Sequence, residues 1–286
     1  RRVLFRSRAF LRGEAESFLA LNRGDWRLIS LLSGDVLRYF APPAESAGEQ
    51  QWFAHLEARW QRWAAWRVSL KADGFLQDVV SDLSETEAVR TVLATRVRGA
   101  FATIGTRVEL PAALSLEPFF QVKRVDYALI PGDYDESRGG FRLEWRAAPR
   151  LLFSLVGVSQ DRSYATRQQH TAGGRPLAGT QLRFGQDDAV LRAETGWTLG
   201  GEWKAALAAG EGRNRDGASG FFDFDQRHGR LELGWRHGSW RLALDAEARR
   251  TDYLVQTVGA GIAPPPRISD GFMSRLRLER TLPGGW

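Results

Sequence analysis

Four histidines have the widest chemical repertoire in this sequence: His55, His170, His228 and His237. A zinc protease places two histidines on one helix face with the spacing HExxH, and none of these four has that spacing. His237 lies at a predicted turn. Ser69 comes near His55 in a predicted hairpin, but no third residue marks them as nucleophile and base. We therefore expect no catalytic residue, no catalytic metal and no enzyme activity.

Two acidic segments are candidate calcium ligands, because calcium prefers clustered carboxylate oxygens. They are Asp133-Tyr134-Asp135-Glu136 and the region from Asp216 to Asp225. Neither matches the spacing of an EF-hand loop, so we favour solvated loop acids over a cation site. Gly173-Gly174 lacks any phosphate-loop pattern. The sequence predicts no bound metal and no cofactor.

The most prominent pattern in this sequence is a charged residue at every second position. Residues 230–249 read RLELGWRHGSWRLALDAEAR, in which apolar and charged side chains alternate. Successive side chains of a strand point to opposite faces, so the pattern predicts two strands with one apolar and one charged face. If His237-Gly238 is a two-residue turn, Trp235 lies opposite Trp240 and Arg230 lies opposite Asp245.

The same alternation recurs along the chain, most clearly in residues 52–60, 66–74, 141–146 and 272–279. We count roughly thirteen strands, with a fourteenth cut off at the C-terminus. Short turns alternate with longer polar loops, which we predict at residues 131–139, 161–179 and 210–220. We expect one strand over 180–199, interrupted by a bulge or turn at 186–188, and an alternative short helix starting at 84–87.

Composition excludes several classes of protein. The chain has 286 residues, 11 Trp, 16 Phe, no Cys and a net charge of +6. No run approaches the ~18 apolar residues that a spanning helix needs. The absence of cysteine removes disulfide frameworks and thiolate metal sites. The arginines alternate with Glu and Asp instead of forming a basic run, so we expect no nucleic-acid partner.

These features resemble the bacterial outer-membrane β-barrel class, which is porin-like, across residues 8–286. The resemblance rests on the recurring apolar and charged hairpins and on tryptophans beside short turns. It implies an all-β transmembrane antiparallel up-and-down barrel in the outer membrane of Gram-negative bacteria, in contact with its lipid. It also implies aromatic side chains at the membrane interface, namely Trp60, Trp66, Trp145, Trp203, Trp235 and Trp240.

Both ends of the sequence differ from what such a barrel implies. Residues 1–7 (RRVLFRS) resemble the in-frame translation of a common sequencing-library adapter, and we exclude them from the fold. Barrels of this class finish on a strand with a terminal aromatic residue, whereas Trp286 directly follows Pro-Gly-Gly. We expect residues 8–286 to be a single barrel domain that is incomplete, and its oligomeric state is left open.

The charged face is the main functional signal. A charge that faces lipid costs about 2–4 kcal/mol at the membrane midplane, so a barrel would turn this face towards a wet lumen. There it forms either a structural lattice of ion pairs or a water-filled pore with arginine-biased selectivity. The expected lumen-lining residues are Arg12, Glu14, Arg59, Arg67, Arg107, Glu109, Arg142, Glu144, Arg192, Glu194, Arg230, Glu232, Arg241, Asp245, Glu247, Arg275, Arg277 and Glu279.

Three functional hypotheses follow. The first is a porin-like channel for passive diffusion of small polar solutes, with a preference for anions. The second is a non-conducting barrel that anchors a missing N-terminal domain or displays its loops to a partner. The third is a soluble all-β protein.

Overall fold

The computed structural model describes residues 10–39, 48–82, 92–128, 132–198, 201–259 and 263–281. These residues contain no helix, and hence none long and apolar enough to cross a membrane. The thirteen strands are β1 (Phe10–Arg23), β2 (Trp26–Tyr39), β3 (Gly48–Trp63), β4 (Trp66–Asp82), β5 (Val92–Leu110), β6 (Leu114–Tyr127), β7 (Tyr134–Ala148), β8 (Leu151–Tyr164), β9 (Arg183–Thr198), β10 (Glu202–Arg215), β11 (Phe224–His237), β12 (Trp240–Thr257) and β13 (Pro266–Arg280).

The strands form one antiparallel sheet in which every strand pairs with its neighbours in the chain, in the order β1 to β13. The predicted all-β, up-and-down architecture is therefore confirmed. In the described residues β1 and β13 are not paired with each other, so the sheet is not closed. Residues 1–7, which we excluded from the fold, and the residues after 281, where we expected a fourteenth strand to be cut off, lie outside the described residues. So does the alternative helix at 84–87.

The chain divides into two compact units. Unit 1 comprises Arg1–Thr106, Phe120–Ser137 and Arg162–Arg167, and unit 2 comprises Arg107–Phe119, Arg138–Asp161 and Gln168–Trp286.

The β11–β12 hairpin has the predicted faces but not the predicted register. Its turn is Gly238-Ser239, because Gly238 adopts the positive φ of +56° that a tight hairpin turn favours. His237 is therefore the last residue of β11, paired with Trp240, and is not a turn residue. Trp235 lies opposite Leu242 instead of Trp240. The slip moves each pairing by two residues, which leaves every side chain on its predicted face.

Several strands extend beyond their predicted ends. The strand β7 begins at Tyr134, inside the predicted 131–139 loop, and β10 continues to Arg215, inside the predicted 210–220 loop. The strand β9 runs without interruption through 186–188, where Asp187 is opposite Arg213 and accepts its hydrogen bond at 2.7 Å. The polar residues that suggested loops are thus paired strand residues, because ion pairs take the place of apolar contacts.

Neither unit contains a conventional apolar core within the described residues. Only six apolar side chains there are buried: Val97, Val125, Tyr164, Leu182, Ala206 and Ala208. Large apolar side chains lie on the surface instead. Leu11 is 64% exposed in unit 1, and Phe272 is 75% exposed in unit 2.

Aromatic rings cover glycines of neighbouring strands in unit 1. The indole of Trp52 lies directly over Gly34, where a Cβ atom would overlap the ring. The ring of Phe75 occupies the corresponding space over Gly99. A glycine in a strand has no side chain to pack, and a ring from the adjacent strand supplies the missing contact area.

In unit 2 the two loops that follow β8 and β10 pack on each other. The Ser219 hydroxyl donates a hydrogen bond of 2.6 Å to the His170 carbonyl. The His170 ring stacks on Phe221 at 5.6 Å and meets Phe222 edge-on at 4.9 Å. These contacts hold the loops after β8 and β10 in a defined arrangement at the same end of unit 2.

Asp216 organises the loop between β10 and β11. Its side chain is 1% exposed. One carboxylate oxygen accepts hydrogen bonds from the amides of Ala218 and Gly220, and the other accepts one from Phe222. Three backbone donors therefore satisfy a carboxylate that has no contact with bulk water.

We expect Asp216→Ala to destabilise this loop by about 1–3 kcal/mol, because it leaves buried amide donors without an acceptor. Hydrogen exchange at the Gly220 and Phe222 amides should accelerate accordingly. The control is Asp225→Ala, which removes an exposed carboxylate that pairs with Arg215. Equal exchange rates in both variants would contradict this role of Asp216.

Candidate functional site

The predicted charged residues share one face of the sheet in each unit. In unit 2 the register of β9 to β13 aligns the charged positions of successive strands. We call this the charged face of unit 2, and it contains Arg192, Glu194, Lys204, Arg230, Glu232, Arg241, Asp245, Glu247, Arg275, Arg277 and Glu279. It also contains Arg107, Glu109, Arg142, Glu144 and Arg146 of β5 and β7, which alternate with apolar residues in the same way.

A chain of ion pairs crosses β9 to β12 on this face. Arg192 contacts Glu194 at 2.8 Å and Glu232 at 2.6 Å. Arg230 contacts Glu232 at 3.0 Å and Asp245 at 2.6 Å. The Arg230 and Asp245 side chains thus meet as predicted, although the residue directly opposite Arg230 is Glu247. Five side chains from three strands form one connected network.

This network crosses β10 because β10 has only alanines at the crossing point. Ala208 lies opposite Arg192, and Ala206 lies opposite Glu232. The Arg192 guanidinium therefore reaches across β10 and donates two hydrogen bonds to Glu232, at 3.1 and 2.6 Å. Each alanine is only 7% exposed. We conclude that the small side chains of β10 make room for the overlying charged ones.

Arg107 is the centre of a second network in unit 2. Its guanidinium contacts Glu109 at 2.6 Å, Glu117 at 3.8 Å and Glu144 at 3.3 Å. Arg142 contacts Glu144 at 3.8 Å. One arginine thus links β5, β6 and β7 on the charged face.

The charged face of unit 1 has ion pairs of the same kind. Arg12 contacts Glu14 at 2.7 Å and Asp35 at 2.9 Å. Arg59 contacts Glu57 at 2.8 Å, and Glu57 is only 5% exposed. Arg67 has no ion pair with a described residue.

The histidines are separate structural residues within the described part of the chain. His55 contacts Asp73 at 2.6 Å, but Ser69 lies opposite Arg59, four cross-strand pairs away. Ser69 instead donates to the Gly105 carbonyl at 3.4 Å. The prediction that Ser69 lies near His55 is therefore wrong.

The remaining two histidines outside the loops pack against residues of β10 and β11. The His228 ring lies over Gly210 of the neighbouring strand β10, where a Cβ atom would be only 2.6 Å from it. His237 stacks on Trp235 of its own strand, with centroids 6.0 Å apart. The described residues contain no group of three or more His, Cys, Asp or Glu side chains that could hold a metal ion.

The acidic segments are not uniformly solvated, in contrast to our expectation. Asp135 is 73% exposed, but Glu136 is buried and contacts Arg162 at 2.6 Å. Strand alternation turns these adjacent acids to opposite faces. Asp216 is buried and satisfied by backbone amides, as described above. The acids are therefore dispersed among different partners.

A cleft of about 740 Å³ lies on the charged face of unit 2. Residues of β7 and β8 line one side, residues of β12 and β13 line the other, and β9 to β11 form its floor. Six basic and three acidic side chains line it: Arg146, Arg150, Arg192, Lys204, Arg275 and Arg277, with Glu194, Glu232 and Asp245.

Tryptophans concentrate where the strands meet short turns. The six predicted positions have this location, on the face opposite the charged one. In unit 1, Trp63 and Trp66 stack at 5.6 Å, and Trp60 meets Trp66 edge-on at 5.7 Å. In unit 2, Trp197 and Trp203 stack at 5.7 Å. Nine of the eleven tryptophans in the chain lie at such strand ends.

No protein-family model matches this chain, and no curated protein sequence matches it either.

The sequence-based set omitted several residues that belong to these surfaces. Lys204 alternates with Trp203 and could have been assigned to the charged face from that pattern. Trp26, Trp63 and Trp197 are also adjacent to short turns. The roles of Ala206 and Ala208 had no sequence signal, because they depend on side chains from the two flanking strands.

We expect Ala208→Leu to interrupt the Arg192–Glu232 contact and to lower the free energy of unfolding by about 1–3 kcal/mol, through overpacking and the lost ion pair. The matched control is Ala209→Leu, on the same strand but on the exposed apolar face. Urea unfolding followed by tryptophan fluorescence measures both. Equal stability of the two variants would contradict the conclusion that Ala208 makes room for the Arg192–Glu232 contact across β10.

Proposed function

We propose that this chain is an outer-membrane β-barrel that acts as a porin-like channel, through which small polar solutes diffuse passively with a preference for anions. The observation that carries the proposal is a sheet with opposed faces. One face exposes large apolar side chains, and the other carries connected charges around a basic cleft.

The apolar face favours a lipid environment. On β12 this face presents Trp240, Leu242, Leu244, Ala246 and Ala248 in succession. From Trp240 to Ala248 there are eight steps of about 3.4 Å, which together span about 27 Å, close to the ~25 Å apolar band of a transmembrane barrel. In water such a continuous exposed surface would promote aggregation.

Charges resume on the same face beyond this band. After Ala248 the face presents Arg250 and Asp252, whose side chains contact each other at 3.1 Å. On β10, Glu211 and Arg213 likewise follow Ala209. An apolar stretch of limited length, bounded by tryptophan at the short-turn end and by charged residues at the long-loop end, favours a strand that spans an apolar band.

The charged face favours a water-filled lumen over a dry one. Ion pairs account for many of its charges and support the lattice hypothesis. However, Arg146, Lys204, Arg241 and Arg275 form no ion pair with a described residue. These surplus cations give the face a local positive potential, which attracts anions to a pore and repels cations.

We expect the full chain, refolded with lipid, to produce ohmic single-channel steps with anion preference in a planar bilayer. Arg241→Glu and Arg275→Glu should each lower the anion-to-cation permeability ratio. Arg227→Glu, which reverses a charge on the opposite face, should leave the ratio unchanged. A folded barrel that never conducts would overturn the channel and favour the anchoring or loop-display role.

Lipid contact has a separate test. Leu207 is 61% exposed in the centre of the apolar stretch of β10. We expect Leu207→Arg to lower stability in lipid vesicles by about 2–4 kcal/mol, since it would place a charge in hydrocarbon. The control is Glu211→Arg, on the same face but beyond the apolar stretch. If Leu207→Arg is as stable as this control in vesicles, the apolar face does not contact lipid.

A further inference from the structure

We infer that the cleft on the charged face of unit 2 is a binding site for a multivalent oxyanion, such as a phosphate group or a small dicarboxylate. This inference rests on the proposed channel, because it names the class of solute that the charged face selects. The site consists of Arg146, Lys204 and Arg275 around the ion-pair network of Arg192.

The acidic residues of the cleft are already paired with arginines. Glu194 and Glu232 are bound by Arg192, at 2.8 and 2.6 Å. Asp245 receives two hydrogen bonds from Arg230, at 3.0 and 2.6 Å. The carboxylates that could neutralise additional cations are therefore engaged.

The surplus cations of the cleft form no ion pair with the described residues of adjacent strands. Arg275 is directly opposite Asp245, yet that carboxylate is bound by Arg230 on its other side. Lys204 lies between Gly196 and Gly234, which have no side chains. The acidic residue nearest to Arg146 in sequence, Glu144, contacts Arg107 and Arg142. No ion pair joins Arg146, Lys204 or Arg275 to any described residue.

The size and the chemistry of the cleft suit a small anion. The cleft volume of about 740 Å³ is within the usual range of small-molecule sites. Guanidinium groups bind phosphate and carboxylate oxygens in a bidentate manner, and an ammonium group adds a compact positive charge. Arg146, Lys204 and Arg275, from β7, β10 and β13, all line this one cleft. A ligand with two or more negative charges gains more from this arrangement than chloride does.

The test measures inorganic phosphate binding to the full chain folded in detergent, by calorimetry at pH 8 and constant ionic strength. Phosphate is mainly a dianion at this pH, and chloride at equal ionic strength is the reference. We expect saturable phosphate binding that weakens at least tenfold in the triple variant Arg146→Gln, Lys204→Gln, Arg275→Gln. Lys204→Gln alone, which disturbs no described side-chain contact, should also weaken phosphate binding measurably. This single variant tests the site even if the triple variant misfolds.

The matched control removes two arginines and one lysine from the charged face of unit 1, by Arg27→Gln, Arg67→Gln and Lys123→Gln. This variant has the same net charge as the cleft variant and should retain phosphate binding. Absence of saturable binding, or equal weakening in both triple variants, would overturn the site. Succinate as a second probe tells whether a dicarboxylate is also accepted. Calorimetry needs no conduction, so a chain that binds phosphate without conducting refutes only the channel.

Discussion

Antiparallel pairing between consecutive strands is the constraint on which the rest of this structure depends. Each strand satisfies its backbone groups with its neighbours in the chain, and the period of two then assigns every side chain to one of two faces. A one-residue change in the register of two strands would exchange their faces. The observed register of β11 and β12 differs from the predicted one by two residues, so each side chain keeps its face. The two faces are therefore maintained over the whole length of each hairpin.

The two faces are stabilised by different interactions. Side chains on the charged face pair across strands, and in one case across an entire intervening strand, because Ala206 and Ala208 leave space above β10. Many large side chains on the apolar face remain exposed, although tryptophan rings at the strand ends contact one another. The apolar face thus leaves large nonpolar side chains uncovered, whereas many side chains of the charged face form ion pairs with one another. The excess of cations in the unit 2 cleft is the main exception.

Alternation of apolar and charged residues was sufficient to predict the strands, their order and the composition of both faces. It failed at the strand ends near the long loops, where Asp187, Arg213 and Arg250 occupy positions that are apolar elsewhere. Charge on both faces removes the period-two signal, although the backbone pairing continues. The burial of Asp216, which was expected to be solvated, was missed for a different reason, since it depends on three amides of its own loop. The residue directly opposite Arg230 depends on the β11–β12 register, which the turn at Gly238 determines.

The most direct measurement of whether the two faces contact different solvents is a cysteine scan of residues 240–251. The chain has no native cysteine, so each substitution carries one spin label. With the protein in lipid vesicles, the account predicts that collisions with oxygen peak at Leu242, Leu244 and Ala246. Collisions with a water-soluble nickel complex should peak at Ala243, Asp245 and Glu247, out of phase with oxygen. Equal access of the nickel complex to both sets of positions would contradict the assignment of one face to lipid.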